Sequence, residues 1–153
     1  MIESHEYQVL LTGTDPKTGY LESDEGGLPR LEVATPPEFG GPGETWSPEH
    51  LFVAAVSTCL MTTFNAIAQI SGLEVLEYHD EAIGHLQRGD DRLYRIDRVM
   101  LRPRVVIADE SKIAKAVHLL EKAEAVCLIS RSVSSEIDLH PTVIASHQVD
   151  AST

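Results

Sequence analysis

The sequence has few cysteines and few basic residues. Only two cysteines, Cys59 and Cys127, occur in 153 residues, which excludes a framework of structural disulfides. Lys and Arg number 12 against 24 Asp and Glu, and the formal net charge is -12. Such a negative field repels phosphate backbones and anionic headgroups, so we expect neither a nucleic-acid partner nor a membrane partner.

Signals for export or membrane insertion are also missing. The first residues, MIESHEYQ, contain no basic stretch followed by an apolar one. No run reaches about 18 consecutive apolar residues, the length that indicates a membrane span. We therefore expect a cytoplasmic protein, in which cysteine pairing is transient and chemical. The length, with 42% hydrophobic and 24% charged residues, predicts one globular domain over residues 1–153.

The N-terminal part alternates β-rich stretches with turn signals. Residues 7–13, residues 20–23 and a stretch that starts at Leu28 predict three short strands in a meander of hairpins. Residues 35–46 (TPPEFGGPGETW) are too rich in proline and glycine for a helix or a central strand. Long loops of this kind are either functional or simple connections.

The next stretch has the chemistry of a helix start. Ser47 suits the N-cap, Pro48 the first helical position, and Glu49 the positive end of the helix dipole. The helix should run through Ile70 and end at Gly72. It is apolar almost all round, so we expect burial on every face. Its length of about 35 Å exceeds the core of a single small domain, which predicts a homodimer with helices from both chains in the middle.

The remaining elements complete an α+β pattern. Residues 74–107 predict two long strands joined by a turn at Gly89, and residues 108–125 predict an amphipathic helix capped by Asp109. Residues 126–134 continue that helix or start a short third one, and residues 134–144 predict a final strand. We therefore expect an α+β fold with largely antiparallel sheets wrapped around a buried central helix.

Cys59 is the most interesting residue of the central helix. A buried cysteine is usually an inert apolar residue, but hydroxyl side chains surround this one at Ser57, Thr58, Thr62 and Thr63. Hydroxyl residues also follow Cys127. A cysteine pair has a specific chemistry, because one thiolate attacks an O–O bond and the second thiol condenses with the resulting sulfenic acid.

Cys59 needs an activating group to ionise. It lies twelve residues after the N-cap, beyond the reach of the helix dipole. Glu49 is about 15 Å away along the same helix, so only a second copy packed antiparallel could bring Glu49 of one chain to Cys59 of the other. A carboxylate alone raises a thiol pKa, so it would act by orienting a cation. The sequence offers Lys17, Arg30, Arg102 and Arg104.

Three segments resemble a known family. SPEHLFVAAVSTCLMTTFNAIAQISGL (residues 47–73) resembles the central helix of the osmotically inducible protein C and organic hydroperoxide resistance (OsmC/Ohr) family. KAEAVCLIS followed by EIDL resembles its second cysteine segment, and ATPPEFGGPG resembles the loop before the central helix. The resemblance covers nearly the whole chain in the order of its elements.

The resemblance implies an OsmC-like fold, an intertwined homodimer and two sites at its interface. It implies reduction of a small organic hydroperoxide and recycling by a dithiol reductant. Cys59 corresponds to the peroxidatic cysteine, Cys127 to the resolving one, and Glu49 to the carboxylate that holds an arginine over the thiolate. We expect no cofactor and no metal.

Two residues depart from the family pattern. Leu128 follows Cys127 where the family commonly has proline, and the first hairpin (TDPKTG) offers Lys17 instead of the activating arginine. Lysine lacks the planar fork that holds a carboxylate and a thiolate together. The alternative is a binding or sensing protein of the same fold, with weak or no peroxidase turnover.

Other chemistries have less support in the sequence. The seven histidines show no HxxxH or HxH spacing and the cysteines no CxxC spacing, which is unfavourable for zinc. Acyl transfer through Cys59 would need His50 or His79 as a base, without any local signature. The GGPG segment does not connect a strand to a helix as a phosphate loop does.

Overall fold

The computed structural model describes residues 3–149. The chain separates into two compact units, Met1–Leu51 and Phe52–Thr153. Within residues 3–149, seven strands and three α-helices follow one another. The strands are β1 (Leu10–Gly13), β2 (Thr18–Glu22), β3 (Leu31–Ala34), β4 (Val75–Arg88), β5 (Tyr94–Ile107), β6 (Glu136–Leu139) and β7 (Thr142–Ala145). The helices are α1 (Pro48–Ile70), α2 (Ile113–Val126) and α3 (Ser146–Val149).

The first unit contains an antiparallel sheet in the order β1-β2-β3. The turn between β1 and β2 is held by Asp15, whose carboxylate accepts hydrogen bonds from the N–H groups of Lys17 at 2.8 Å and Thr18 at 3.0 Å. Such local bonds are typical of Asp in tight turns. The predicted meander of three short strands is confirmed.

Residues 35–47 form the loop that connects β3 to α1. The loop contains a short 3-10 helix at Pro37–Phe39. Gly41 packs so closely on the Thr35 carbonyl that an added Cβ would lie 1.5 Å from its oxygen. The loop ends at Ser47, whose hydroxyl oxygen accepts the His50 N–H at 3.3 Å. This is the predicted N-cap bond, and α1 begins at the next residue.

Helix α1 ends as the sequence predicts but is buried differently. Gly72 has a φ of 64°, the left-handed conformation that glycine adopts after a helix, and the Leu73 N–H closes the end on the Ala68 carbonyl. Only residues four apart along one face are fully buried: Val56, Leu60, Phe64 and Ala68. Within one chain α1 is therefore buried along one face, and Ile70 is 88% exposed. Burial on every face stays a prediction for the dimer.

By length and composition alone, α1 could also cross a membrane. The core helix of a water-soluble protein meets the same two criteria, so this property is weak evidence.

The second unit contains a mixed sheet built on β5. Strand β4 pairs with β5 antiparallel, whereas β6 and β7 both pair with β5 in parallel. The predicted final strand is thus two strands, separated by His140 and Pro141. The physical reason is that proline lacks the N–H that a continuous ladder needs. The expectation of largely antiparallel sheets is confirmed, and β6 and β7 are the parallel exceptions.

Helix α2 packs on the same core as α1. Asp109 caps a short 3-10 helix, Glu110–Lys112, that precedes α2. The predicted cap residue is therefore a cap, but of this 3-10 helix and not of α2 itself. Another 3-10 helix, Ser130–Ser132, follows α2. The core cluster joins the buried face of α1 to β5 and α2, with Leu60, Leu101 and Leu120 fully buried. The sequence did not predict α3.

A polar contact fixes α1 against the mixed sheet two residues before Cys59. The Ser57 hydroxyl donates to Asp80 Oδ2 at 2.5 Å, and Asp80 Oδ1 accepts the Arg102 N–H at 2.8 Å. One carboxylate thereby connects α1, β4 and β5. On the same side Gly84 leaves no room for a side chain, because an added Cβ would lie 2.4 Å from Val53 Cγ2. Together these contacts determine where Cys59 lies.

Candidate active site

Cys59 lies at the middle of α1, one residue before the fully buried Leu60. It is partly buried, and its thiol is free. The Ser57 anchor and the buried face of α1 hold this turn of the helix in place. The sulfur therefore lies at the edge of the core and not inside it.

Cys127 lies at the end of α2, where the chain leaves the helix. Its N–H donates to the Glu124 carbonyl at 3.1 Å, and its own carbonyl accepts the Arg131 N–H at 3.1 Å. Its φ of -57° and ψ of 122° are no longer helical. The residue is free of any disulfide and completely buried. Cys127 thus joins α2 to the turn that follows, which we call the cysteine turn (residues 127–132).

The fold brings the two cysteines together although 68 positions separate them. The Cys59 sulfur accepts the Ile129 N–H at 3.5 Å and contacts the Thr63 hydroxyl at 3.9 Å. The Cys127 thiol lies close enough to Cys59 for the two thiols to shift each other's pKa. The cysteine turn therefore supplies a thiol and a backbone donor to a sulfur on another helix.

These contacts move the pKa values of the two thiols in opposite directions. Burial raises the pKa of Cys59, but the hydrogen bonds with Cys127, the Ile129 N–H, Thr63 and the Leu128 N–H together lower it below its ordinary value. Burial raises the pKa of Cys127, and its hydrogen bond to Cys59 raises it further. Cys59 is therefore the thiol that ionises first.

Glu49 lies in the first turn of α1, ten residues before Cys59. Its side chain is partly buried, and its Oε2 atom is buried without a hydrogen-bond partner among the residues that the structure describes. A buried carboxylate oxygen of this kind is costly unless a donor reaches it. Glu49 is therefore suited to accept a hydrogen bond from a cation.

Two of the predicted cations come from the first unit, and each has a partner there. The Lys17 ammonium donates to the Gly40 carbonyl. The Arg30 guanidinium carbon lies 3.3 Å from the centre of the Tyr20 ring, a cation–π contact.

The other two cations lie on β5 and pair with acidic residues of β4. Arg102 lies 3.2 Å from a Glu81 carboxylate oxygen, and Arg104 lies 4.0 Å from one of Glu77. All four candidates thus have other partners in this structure. The groups described above that lower the pKa of Cys59 are hydrogen-bond donors and not these four cations.

Comparison with known proteins identifies the family. Residues 41–141 match the family described as OsmC-like protein. The chain is also 32% identical over 112 residues to the uncharacterized protein YmaD of Bacillus subtilis (strain 168), covering 70% of this chain and 73% of that protein. The chain belongs to the OsmC-like family.

Solved structures show the same fold for this OsmC-like protein. An OsmC-like protein of unknown function from Vibrio cholerae superposes with a TM-score of 0.82 at 24% identity, covering 90% of this chain and 99% of that one. An organic hydroperoxide resistance protein from Elizabethkingia anophelis superposes with a TM-score of 0.70 at 24% identity, covering 94% and 100%. The predicted OsmC-like α+β fold is confirmed.

Histidines take other contacts in this OsmC-like protein. His50 Nδ1 lies 2.7 Å from the Ser47 hydroxyl oxygen, and His79 lies 3.6 Å from a Glu77 carboxylate oxygen. Within residues 3–149, no group of three or more His, Cys, Asp or Glu side chains is arranged to hold a metal ion.

Sequence reasoning missed one group that touches Cys59. The Ile129 N–H carries no signature, because every residue except proline has such a donor. In the sequence, Leu128 differs from its neighbours only in standing where the family commonly has proline. The one signal for a backbone donor was the position of Cys127 just after an amphipathic helix, because a turn there leaves backbone N–H groups without helical partners.

The opposite pKa shifts predict selective alkylation. With limiting iodoacetamide at pH 7, we expect Cys59 to be modified about tenfold faster than Cys127, because the thiolate is the reactive form and Cys127 is buried. The rate should fall as the pH is lowered through the pKa of Cys59. Peptide mass spectrometry gives the site and the rate.

The two single variants are the controls for this measurement. Cys127→Ser should keep the fast reaction, because the serine hydroxyl can donate to the Cys59 sulfur in place of the thiol, and Cys59→Ser should lose it. Equal labelling of both cysteines, or faster labelling of Cys127, would contradict the assignment.

Proposed function

We propose that this protein is a thiol-dependent peroxidase that reduces organic hydroperoxides with Cys59 and Cys127. The observation that carries the proposal is the contact of the two thiols, with the pKa of Cys59 lowered and that of Cys127 raised. The Elizabethkingia neighbour named as an organic hydroperoxide resistance protein has the same fold. The proposed site of action is the cytoplasm, where a reductant can reopen a disulfide.

Each step of the proposed cycle balances. The Cys59 thiolate attacks one oxygen of the peroxide, the O–O bond breaks, and the alkoxide takes a proton to leave as the alcohol. Cys59 is then a sulfenic acid. The Cys127 sulfur attacks the Cys59 sulfur, the S–O bond breaks, and water leaves with the thiol proton. An external dithiol is oxidised to its own disulfide and returns both cysteines to thiols.

The surroundings of Cys127 favour an organic substrate. Val126 and Leu128, on either side of it in the chain, are 50% and 67% exposed. Exposed aliphatic side chains next to a reactive group can bind the apolar part of a ligand. A bulky alkyl or aryl hydroperoxide is therefore a better match for this surface than hydrogen peroxide.

A homodimer is part of the proposal. Only one face of α1 is buried within the chain. A helix that is apolar on its other faces as well is usually buried against another element. A second copy can supply that element. It can also bring a donor to the buried Oε2 of Glu49, for which we propose the role of orienting a cation.

One observation favours a second candidate function. The first hairpin offers Lys17 and no arginine, and the Lys17 ammonium is bonded to the Gly40 carbonyl. Without a cation at the thiolate, the protein could bind or sense hydroperoxides with little turnover. Measured turnover separates the two candidates.

The direct test is turnover of cumene hydroperoxide with a dithiol reductant. We expect Cys59→Ser to lose at least about 100-fold in rate, because the attacking thiolate is gone. Cys127→Ser should still consume one equivalent of peroxide but should accumulate a sulfenic acid that dimedone traps. Loss of peroxide and the mass of the dimedone adduct are the two readouts.

The control for these variants is Ser134→Ala, which changes an exposed residue of the second unit by one hydroxyl group. This variant should react like the wild type. If the wild type turns over no faster than Cys59→Ser while its cysteines are reduced, the peroxidase proposal is wrong and the binding or sensing function takes its place.

The dimer has a separate test. We expect size-exclusion chromatography with light scattering to give twice the mass of one chain over a wide range of concentrations, because α1 leaves apolar surface uncovered. A folded monomer at micromolar concentration would contradict the dimer.

A further inference from the structure

The Cys59 sulfur receives backbone hydrogen bonds from a distant part of the chain. The Ile129 N–H donates to it at 3.5 Å across 70 positions. The neighbouring Leu128 N–H also lowers the pKa of the Cys59 thiol. A sulfur that faces two successive backbone N–H groups, one of them within hydrogen-bond distance, is in the setting that proteins use to bind anions.

The geometry of the cysteine turn explains why both donors are free for this role. The Cys127 N–H is used by the Glu124 carbonyl and the Arg131 N–H by the Cys127 carbonyl. Between them, neither Leu128 nor Ile129 donates to another backbone carbonyl within residues 3–149. The turn therefore presents two successive donors toward one acceptor.

We propose that the N–H groups of Leu128 and Ile129 form a pocket for the Cys59 thiolate, and that these two residues are positioning residues for its reaction. This inference rests on the proposed function and adds the device that ionises and aims the sulfur. Amide dipoles that are already oriented stabilise a developing or fixed negative charge without reorganisation. They do so here while Lys17, Arg30, Arg102 and Arg104 bind other groups.

The same turn carries the second thiol. Cys127 immediately precedes the two donors, so the turn that holds the Cys59 thiolate also holds the sulfur that attacks its sulfenic acid. Ionisation of one cysteine and its later capture by the other then depend on one short segment. Any change that displaces residues 127–129 should affect both steps.

The test removes one donor without removing the turn. Proline has no N–H, so Leu128→Pro deletes the donor at position 128. The preceding residue suits it, because Cys127 has a φ of -57° and a ψ of 122°, the extended conformation that a residue before proline adopts. The Leu128 side chain is 67% exposed, and Leu128→Ala, which keeps the N–H, is the matched control.

The measurement is the rate of iodoacetamide alkylation against pH, with both variants in a Cys127→Ser background so that only Cys59 titrates. At pH 7 we expect Leu128→Pro to react about fivefold more slowly than Leu128→Ala, since a hydrogen bond to a charged group is lost. At high pH, where both are fully ionised, the two rates should converge. Equal rates at pH 7, or a gap that persists at high pH, would overturn the proposal.

Nuclear magnetic resonance tests the donors directly if the proline variant does not fold. In the Cys127→Ser protein, the amide proton shifts of Leu128 and Ile129 should titrate with the Cys59 thiolate, and this titration should vanish in Cys59→Ala. Amide shifts that do not follow the thiol contradict the pocket. No peroxide enters either measurement, so an inactive enzyme with titrating amides refutes the peroxidase and leaves the pocket standing.

Discussion

The hydrogen bond from the Ile129 N–H to the Cys59 sulfur is the interaction on which the site depends. It joins the middle of α1 to the turn after α2, and it brings the Cys127 thiol to the same sulfur. Burial raises the pKa of Cys59, and Cys127 and the backbone donors of the cysteine turn oppose that rise. The thiol with the lowered pKa therefore faces the thiol with the raised pKa, which is the arrangement that the proposed order of reactions needs.

The rest of the second unit keeps that contact in place. Leu60 and Phe64 bury one face of α1 in the core, and Asp80 connects the helix to the sheet through Ser57. Helix α2 packs against β7 of the mixed sheet, and the turn that follows α2 contacts Cys59. The site is therefore a consequence of packing between two helices, and its polarity comes from backbone groups that the packing leaves free.

Local chemistry explains what could be predicted from the sequence. Ser47, Pro48 and Gly72 determine both ends of α1, since caps act through bonds to neighbouring residues. The cysteine pair was also predictable, because only two cysteines occur. Long-range geometry explains what could not be predicted. Parallel pairing of β6 and β7, burial of α1 on one face only, and donation by Ile129 all depend on how distant segments pack, and no local pattern encodes them.

The proposed chemistry requires that the Cys59 and Cys127 sulfurs of one chain react with each other. The most direct test is to add one equivalent of cumene hydroperoxide to the reduced protein without a reductant and to map disulfides by peptide mass spectrometry. We expect an intrachain Cys59–Cys127 disulfide in nearly all chains. Two free thiols, a disulfide between chains, or Cys59 oxidised to the sulfinic acid beside a free Cys127 would contradict it.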